Sequence, residues 1–204
     1  MPSTATDKSR EQDQKGQGMT SSGSSAGPRN AALNLHVQML QRRRGWLARI
    51  GEAQDRDDYL TMTTLGLRAG RACREAGEHA EAEWHLQLTA RTLLRLGEGM
   101  QRLLLEAEQV AETIALAEAW SDTTDPDDLA QPRRLRDRAR DLCFTMVQSS
   151  RRLDSAVQRV ACQLRIATLL SRLGDESDAQ HLRHHHLDFS RVLGGGIDMH
   201  AVFL

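Results

Sequence analysis

From Asn30 onward apolar residues recur at steps of three, four and seven, and most such runs are closed by glycine, proline or a cluster of charge. Leu33, Val37, Leu40, Leu47 and Ile50 predict a first helix over about 30–49, ended by Gly51 and the charged stretch behind it. Asp57 or Asp58 stands where a cap is needed for a second helix. Its buried side would carry Leu60, Thr63, Leu67, Gly70 and Cys73, and Gly77 ends it. A third helix runs to Gly97 with Ala82, Leu86, Thr89 or Ala90, and Leu93 on one side. The link between the second and third helices is so short that they must pack as an antiparallel hairpin. A fourth helix, about 98–120, sets Met100, Leu103, Ala107, Val110, Ile114 and Ala117 in a seam of coiled-coil type, too short to stand alone.

An acidic loop over 121–131, broken by Pro126, separates two helical halves of about 29–120 and 132–194. Pro132 fits the first turn of a fifth helix built on Leu135, Ala139, Leu142 and Met146. A sixth helix uses Val157, Val160, Leu164, Ala167 and Leu170, and a seventh fills about 176–193. Neither glycine nor proline interrupts 133–173, yet the polar stretch SSRRLDS, with Ser155 and Gln158 as a capping pair, predicts a break between helices five and six. Residues 1–28 have almost nothing to bury and are expected to be a disordered tail. Residues 195–204 read as a glycine hinge and a short apolar segment containing Val202, Phe203 and Leu204. The expected fold is all-α, six or seven helices in antiparallel hairpins.

Shifting the chain against itself by 97 residues lays helices two and three on helices six and seven. Leu60 falls on Val157, Leu67 on Leu164, Gly70 on Ala167, Gly77 on Gly174, Ala82 on Ala179 and Gly97 on Gly194. The offset is close to three times a period of ~34 residues, and the pattern resembles the tetratricopeptide repeat. In that family a small residue lies where helices touch, a glycine ends the turn, and an alanine five residues later lets the second helix approach. Gly70, Gly77 and Ala82 match, as do Ala167, Gly174 and Ala179. The family's aromatic positions hold Gly66 and Cys73 instead, Thr89 replaces an alanine, and Gly97 and Gly194 stand in for the closing proline. The resemblance covers residues of about 58–97 and 155–194. It implies a superhelical scaffold whose concave face binds a peptide or partner helix without catalysis.

Charge and composition narrow the alternatives. Of 204 residues, 27 are basic and 28 acidic, for a formal net charge of -1, so the whole-chain footprint of a phosphate-binding protein is absent. Lys8 and Lys15 are the sole lysines; arginines cluster at Arg42, Arg43 and Arg44 and from Arg133 through Arg140, where Asp137 and Asp141 interleave. That pattern reads as a self-neutralised helix face, with a nucleic-acid-associated regulatory role as the alternative. Cys73, Cys143 and Cys162 are far apart and lack CxxC spacing, so buried free thiols are expected. His181 and His185 lie four apart with Asp178 one turn earlier, a permissive but incomplete ligand set; no resident metal is expected there. Phosphate-loop, dinucleotide and nucleophile-elbow motifs are missing, so neither an enzyme nor a cofactor is expected. No long apolar run predicts a membrane span or signal peptide, and a cytoplasmic location is the expectation. A protein-binding adaptor or secretion-type chaperone, or a homo-oligomeric scaffold, fits this profile. The candidate partner-contacting residues are Ala69, Gly70, Cys73, Ala82, Val202, Phe203 and Leu204, and Trp46, Trp84 and Trp120 are expected in the core.

Overall fold

The computed structural model describes residues 28–121 and 130–192, with side chains described over 37–38, 41–121 and 130–184. The expected tail, most of the acidic loop and the segment 195–204 lie outside these residues. The described residues form seven helices: α1 (Pro28–Asp55), α2 (Tyr59–Glu75), α3 (His79–Leu93), α4 (Met100–Ser121), α5 (Ala130–Ser150), α6 (Ala156–Arg172) and α7 (Glu176–Val192). The fold is all-α, and the described residues form no strand.

The hairpins rest on one turn used three times. At the end of α2, Gly77 has φ 79°, its amide donates to the Arg74 carbonyl, and the Glu78 amide donates to the Cys73 carbonyl. At the end of α6, Gly174 has φ 85°, donating to Ser171, while Asp175 donates to Leu170. After α1, Asp57 adopts φ 54° and donates to Gln54, while Asp58 donates to Ala53. Each is a left-handed closure that satisfies the orphan carbonyls of a helix end. The residue just past it then starts the next helix: the carbonyls of Asp58, Glu78 and Asp175 accept from Met62, Ala82 and Ala179. Ala82 and Ala179 are fully buried because the incoming helix turns directly onto the outgoing one. The sequence expectation that Gly51 closes α1 fails here. Ile50 and Ala53 on either side of it are buried with Met62 and Leu65, and that contact carries the helix four residues past a glycine costing about 1 kcal/mol.

Residue numbers rise along α2 as they fall along α3, which makes the hairpin antiparallel: the hydroxyls of Thr63 and Thr92 meet at 2.9 Å, and Gly66 lies against Thr89, Gly70 against Leu86 and Ala82. α4 packs with α5 and α6 with α7 in the same way, and the predicted break between α5 and α6 is present, with the Ser155 hydroxyl accepting from the Gln158 amide. The 97-residue offset therefore spans two hairpin steps rather than three repeats of ~34 residues, because α4 and α5 form a single longer hairpin between the two related ones.

The first helices also pack on one another, α2 on α4 and α4 on α6, while the second helices have no comparable contact. Three hairpins thus stack with α2, α4 and α6 side by side along the inner side. α4 is the centre of this arrangement. Its first half, with Leu103, Ala107, Val110 and Ile114, joins a core shared with α5, α6 and α7. Its second half, with Leu116, Ala117 and Trp120, joins a core shared with α2, α3 and α5.

Position in the stack, rather than the apolar stripe alone, decides what is buried. α2 lies between α1, α3 and α4, so Met62, Leu65 and Ala69 are buried in addition to Thr63, Leu67, Gly70 and Cys73, whereas Leu60 is 39% exposed. On α6 the buried residues are Ala161, Cys162, Ile166, Ala167, Leu169 and Leu170; Val157 is exposed and Val160 and Leu164 are half-buried. On α1, Val37 and Leu47 are exposed. Trp120 is in the core and Trp46 is half-buried, but Trp84 is 47% exposed, contrary to expectation.

Candidate partner-binding face

Packing three first helices side by side leaves a strip of each on the inner side. On α4 that strip steps through Leu104, Glu108, Ala111, Ala115 and Glu118, each partly or wholly exposed. On α2 it holds Thr64, Arg68 and Arg71, and on α6 Arg165, Thr168 and Arg172.

Arginines on the two flanking helices converge on carboxylates of the middle one. One oxygen of Glu108 lies 3.9 Å from Arg71 and the other 3.6 Å from Arg165, so a single carboxylate bridges α2 and α6 across α4. One turn on, the mostly buried Glu112 accepts from Arg71 Nε at 2.5 Å and pairs with Arg74 at 3.2 Å. That hydrogen bond, with the charge of Glu112, holds the Arg71 guanidinium above its usual pKa. Further along, Glu118 pairs with Arg172 at 3.0 Å. The Glu112 pairs are partly desolvated and act as structural ties. Those of Glu108 and Glu118 are solvent-accessible, and such pairs contribute only about 0–1 kcal/mol each.

Between α4, α6 and α7 the face deepens into an open hollow of about 520 Å³. Its floor is Ala111, Leu164 and Leu169, and Arg165, Arg172 and Arg183 stand around it with Thr168. Arg183 is held by Glu176 at 2.8 Å and donates to the Ser171 hydroxyl. An apolar floor ringed by guanidiniums suits an apolar side chain flanked by carboxylates.

The residues chosen from sequence fall elsewhere. Ala69, Gly70, Cys73 and Ala82 are all buried, which assigns them to close packing within the stack rather than to a surface a partner can reach. A Cβ on Gly70 would stand 3.3 Å from the Leu86 side chain. Val202, Phe203 and Leu204 lie outside the described residues. Asp178 and His181 are exposed on α7, His184 Nδ1 lies 2.8 Å from the Gln180 carbonyl, and the His185 side chain is outside the described set. Among the described residues no three His, Cys, Asp or Glu side chains are grouped as metal ligands. The three cysteines are free and buried; burial pushes their thiols up to about 11 for Cys73 and Cys162 and about 12 for Cys143.

Four of the clustered arginines form ion pairs, mostly across helices instead of along one. Arg43 pairs with Glu81 on α3, Arg134 with the mostly buried Glu83 on α3, Arg140 with Asp175 ahead of α7, and Arg152 with Glu98. Along α5 itself, Asp137 pairs with Arg140 at 2.9 Å. Sequence reasoning missed Arg71, Glu108, Arg165 and Arg172 because isolated charges on a helix carry no motif. The available signal was the 97-residue shift itself, which superposes Arg68 on Arg165.

One buried polar group stands apart from this face. His85 is fully buried, edge-on to Trp84 and Trp46, with neither ring nitrogen hydrogen-bonded. Burial, helped by the charge of Arg43, pushes its pKa down to about 4. Glu81 approaches Nε2 only to 3.8 Å, too far for a hydrogen bond.

No helix among the described residues is long and apolar enough to cross a membrane. No family model matches the chain, and neither a curated protein nor a solved structure matches it.

Proposed function

We propose that this chain is a non-catalytic protein-interaction module, a tetratricopeptide-like array whose inner face takes a helix or peptide that alternates apolar and acidic residues. The observation that carries this reading is the hollow between α4, α6 and α7, apolar below and arginine-lined above. A partner's apolar side chain seated on Ala111, Leu164 and Leu169 contributes about 1.5–3 kcal/mol. Its carboxylates take over Arg165 and Arg172 from Glu108 and Glu118. The exchange costs little, because those resident pairs are solvent-accessible and weak. The resident glutamates therefore keep the face neutral when empty and yield it when filled. An adaptor or chaperone acting in the cytoplasm is the role this chemistry suits; neither a cofactor nor a metal has a part in it.

The test is selection of displayed helical peptides against the full chain, followed by titration of the enriched sequences. Enriched peptides should place carboxylates one turn either side of a leucine or phenylalanine. The double substitution Arg165→Glu with Arg172→Glu should weaken them at least ten-fold while leaving the helical circular dichroism unchanged. Peptides without that spacing, or binding indifferent to the double substitution, would remove the proposal.

A further inference from the structure

α1 is fixed to the stack near its C-terminal end, where Ile50 and Ala53 are buried with Met62 and Leu65. Ahead of Ile50 the described side chains, 37–38 and 41–49, are exposed except for the half-buried Trp46. Trp46 packs on the core around Leu67, Cys73 and Ala82, and its ring stands edge-on to His85 of α3 with centroids 6.5 Å apart. Three residues earlier, the Arg43 guanidinium lies 3.0 Å from Glu81 Oε1 of α3. That same carboxylate oxygen is buried, accepts no hydrogen bond, and lies 3.8 Å from His85 Nε2. Both ties between α1 and α3 therefore meet at one fully buried histidine.

We infer that His85 is an acid-sensitive latch: once protonated it takes Glu81 from Arg43 and leaves its aromatic site, and α1 ahead of Ile50 comes away from α3. The neutral ring is tolerated where it lies, although neither nitrogen has a hydrogen-bond partner; an imidazolium there would be a buried charge without an acceptor. Trp46 and Trp84 offer only rings. From α1, Arg43 brings a like charge. From α2, Gly66 passes near the His85 carbonyl, and Cys73, pushed up to about 11 by burial and by Glu81 and Glu78, stays a neutral thiol. On α3 itself the acceptor is Glu81, and closing the remaining distance of about 1 Å to a hydrogen bond draws that carboxylate away from Arg43. One proton thus undoes both ties. The sign follows from burial, which lowers the pKa from 6.5 to about 4, so the open state, with His85 in water, takes the proton first as pH falls. Between pH 7 and pH 5 this linkage raises the opening of α1 about 20-fold. The inference stands whether or not the inner face binds another protein.

Hydrogen exchange of the full-length chain, read by mass spectrometry at pH 7 and pH 5 and corrected for intrinsic rates, tests it. Amides of residues 43–49 should lose protection about 20-fold at pH 5, while those of 107–117 on α4 keep theirs to within about two-fold. His85→Leu should abolish the pH response of α1. Protection on α1 that does not change with pH would overturn the inference, and so would an equal fall on α4, which would mean loss of the whole fold. An unaltered response in His85→Leu would overturn it as well. The contrast between α1 and α4 in the wild type decides the matter even if that variant does not fold.

Discussion

Hairpins α2–α3 and α6–α7 share a turn, a spacing and a buried alanine, yet they are solved differently. In the first, α2 is enclosed by three helices, and the helices approach so closely that Gly66 touches Thr89. In the second, α6 also packs on three helices, α4, α5 and α7, but Gln163 and His186 stand at the shifted positions. The two strongest departures from the repeat pattern, Gly66 in place of an aromatic and Thr89 in place of an alanine, are therefore a single contact. The larger threonine fills what the glycine vacates. Likewise Thr63 and Thr92 pair across α2 and α3 where the later hairpin has Val160 on α6. Position within the stack sets the chemistry of each copy, and the shared turn sets only its geometry.

Acidification should separate the two hairpins most. His85 lies in the enclosed copy, and Leu182 takes its place in the other. Because the folded pKa, about 4, lies below the unfolded value of 6.5, the unfolded state binds the proton first as pH falls. The stability held by neutral His85 is complete above about pH 6.5 and is lost progressively toward pH 4, on the order of 3 kcal/mol. Urea unfolding of the wild type and of His85→Leu at pH 7 and pH 4.5 checks this: the acid-induced loss should shrink by most of that amount in the variant. Equal losses would show that the histidine is not the acid-labile group.

Next in size is Gly66→Ala. The added Cβ would stand 2.3 Å from Thr89 Oγ1, inside any tolerable contact, and Thr89 is locked by its own bond to the His85 carbonyl. A loss of about 2 kcal/mol is expected despite alanine's better helix propensity, and Thr89→Ala in the same chain should recover most of it. Gln163→Ala, at the matching site of the second hairpin, should change stability by under about 0.5 kcal/mol. Chemical denaturation of the three variants beside the wild type settles the point.

The smallest effect is a test of sameness. Gly77→Ala and Gly174→Ala each force a left-handed alanine, at about 1 kcal/mol apiece. Thermal unfolding should show the two losses matching to within about 0.5 kcal/mol, since nothing lies within 4 Å of either Cβ position. A marked inequality would mean that the two turns are not the same structural device.

Much of the fold was legible in local signals. Helix number, the break after Ser150, the closing glycines and the tight alanines follow from caps, periodicity and turn residues, because backbone hydrogen bonds decide them within a few positions. What could not be read was which side of each helix finds a neighbour. A 3.6-residue stripe predicts one buried face; α2 has more and α6 has its face shifted, since stacking adds contacts from outside the hairpin. The inner face was illegible for the same reason. Arg71, Glu108 and Arg165 are 37 to 94 residues apart in the chain and become a unit only when three helices align.

The larger helix–helix contacts in this stack join elements one or two steps apart in the chain, and that fact governs how the molecule comes apart. Contacts so near in sequence favour rapid formation and additive, neighbour-by-neighbour cooperativity. Tension applied at the two ends would meet no long-range clasp. Hairpins would peel away one after another, α1 and α7 leaving first, and α4, with a foot in both large cores, would be the last to let go.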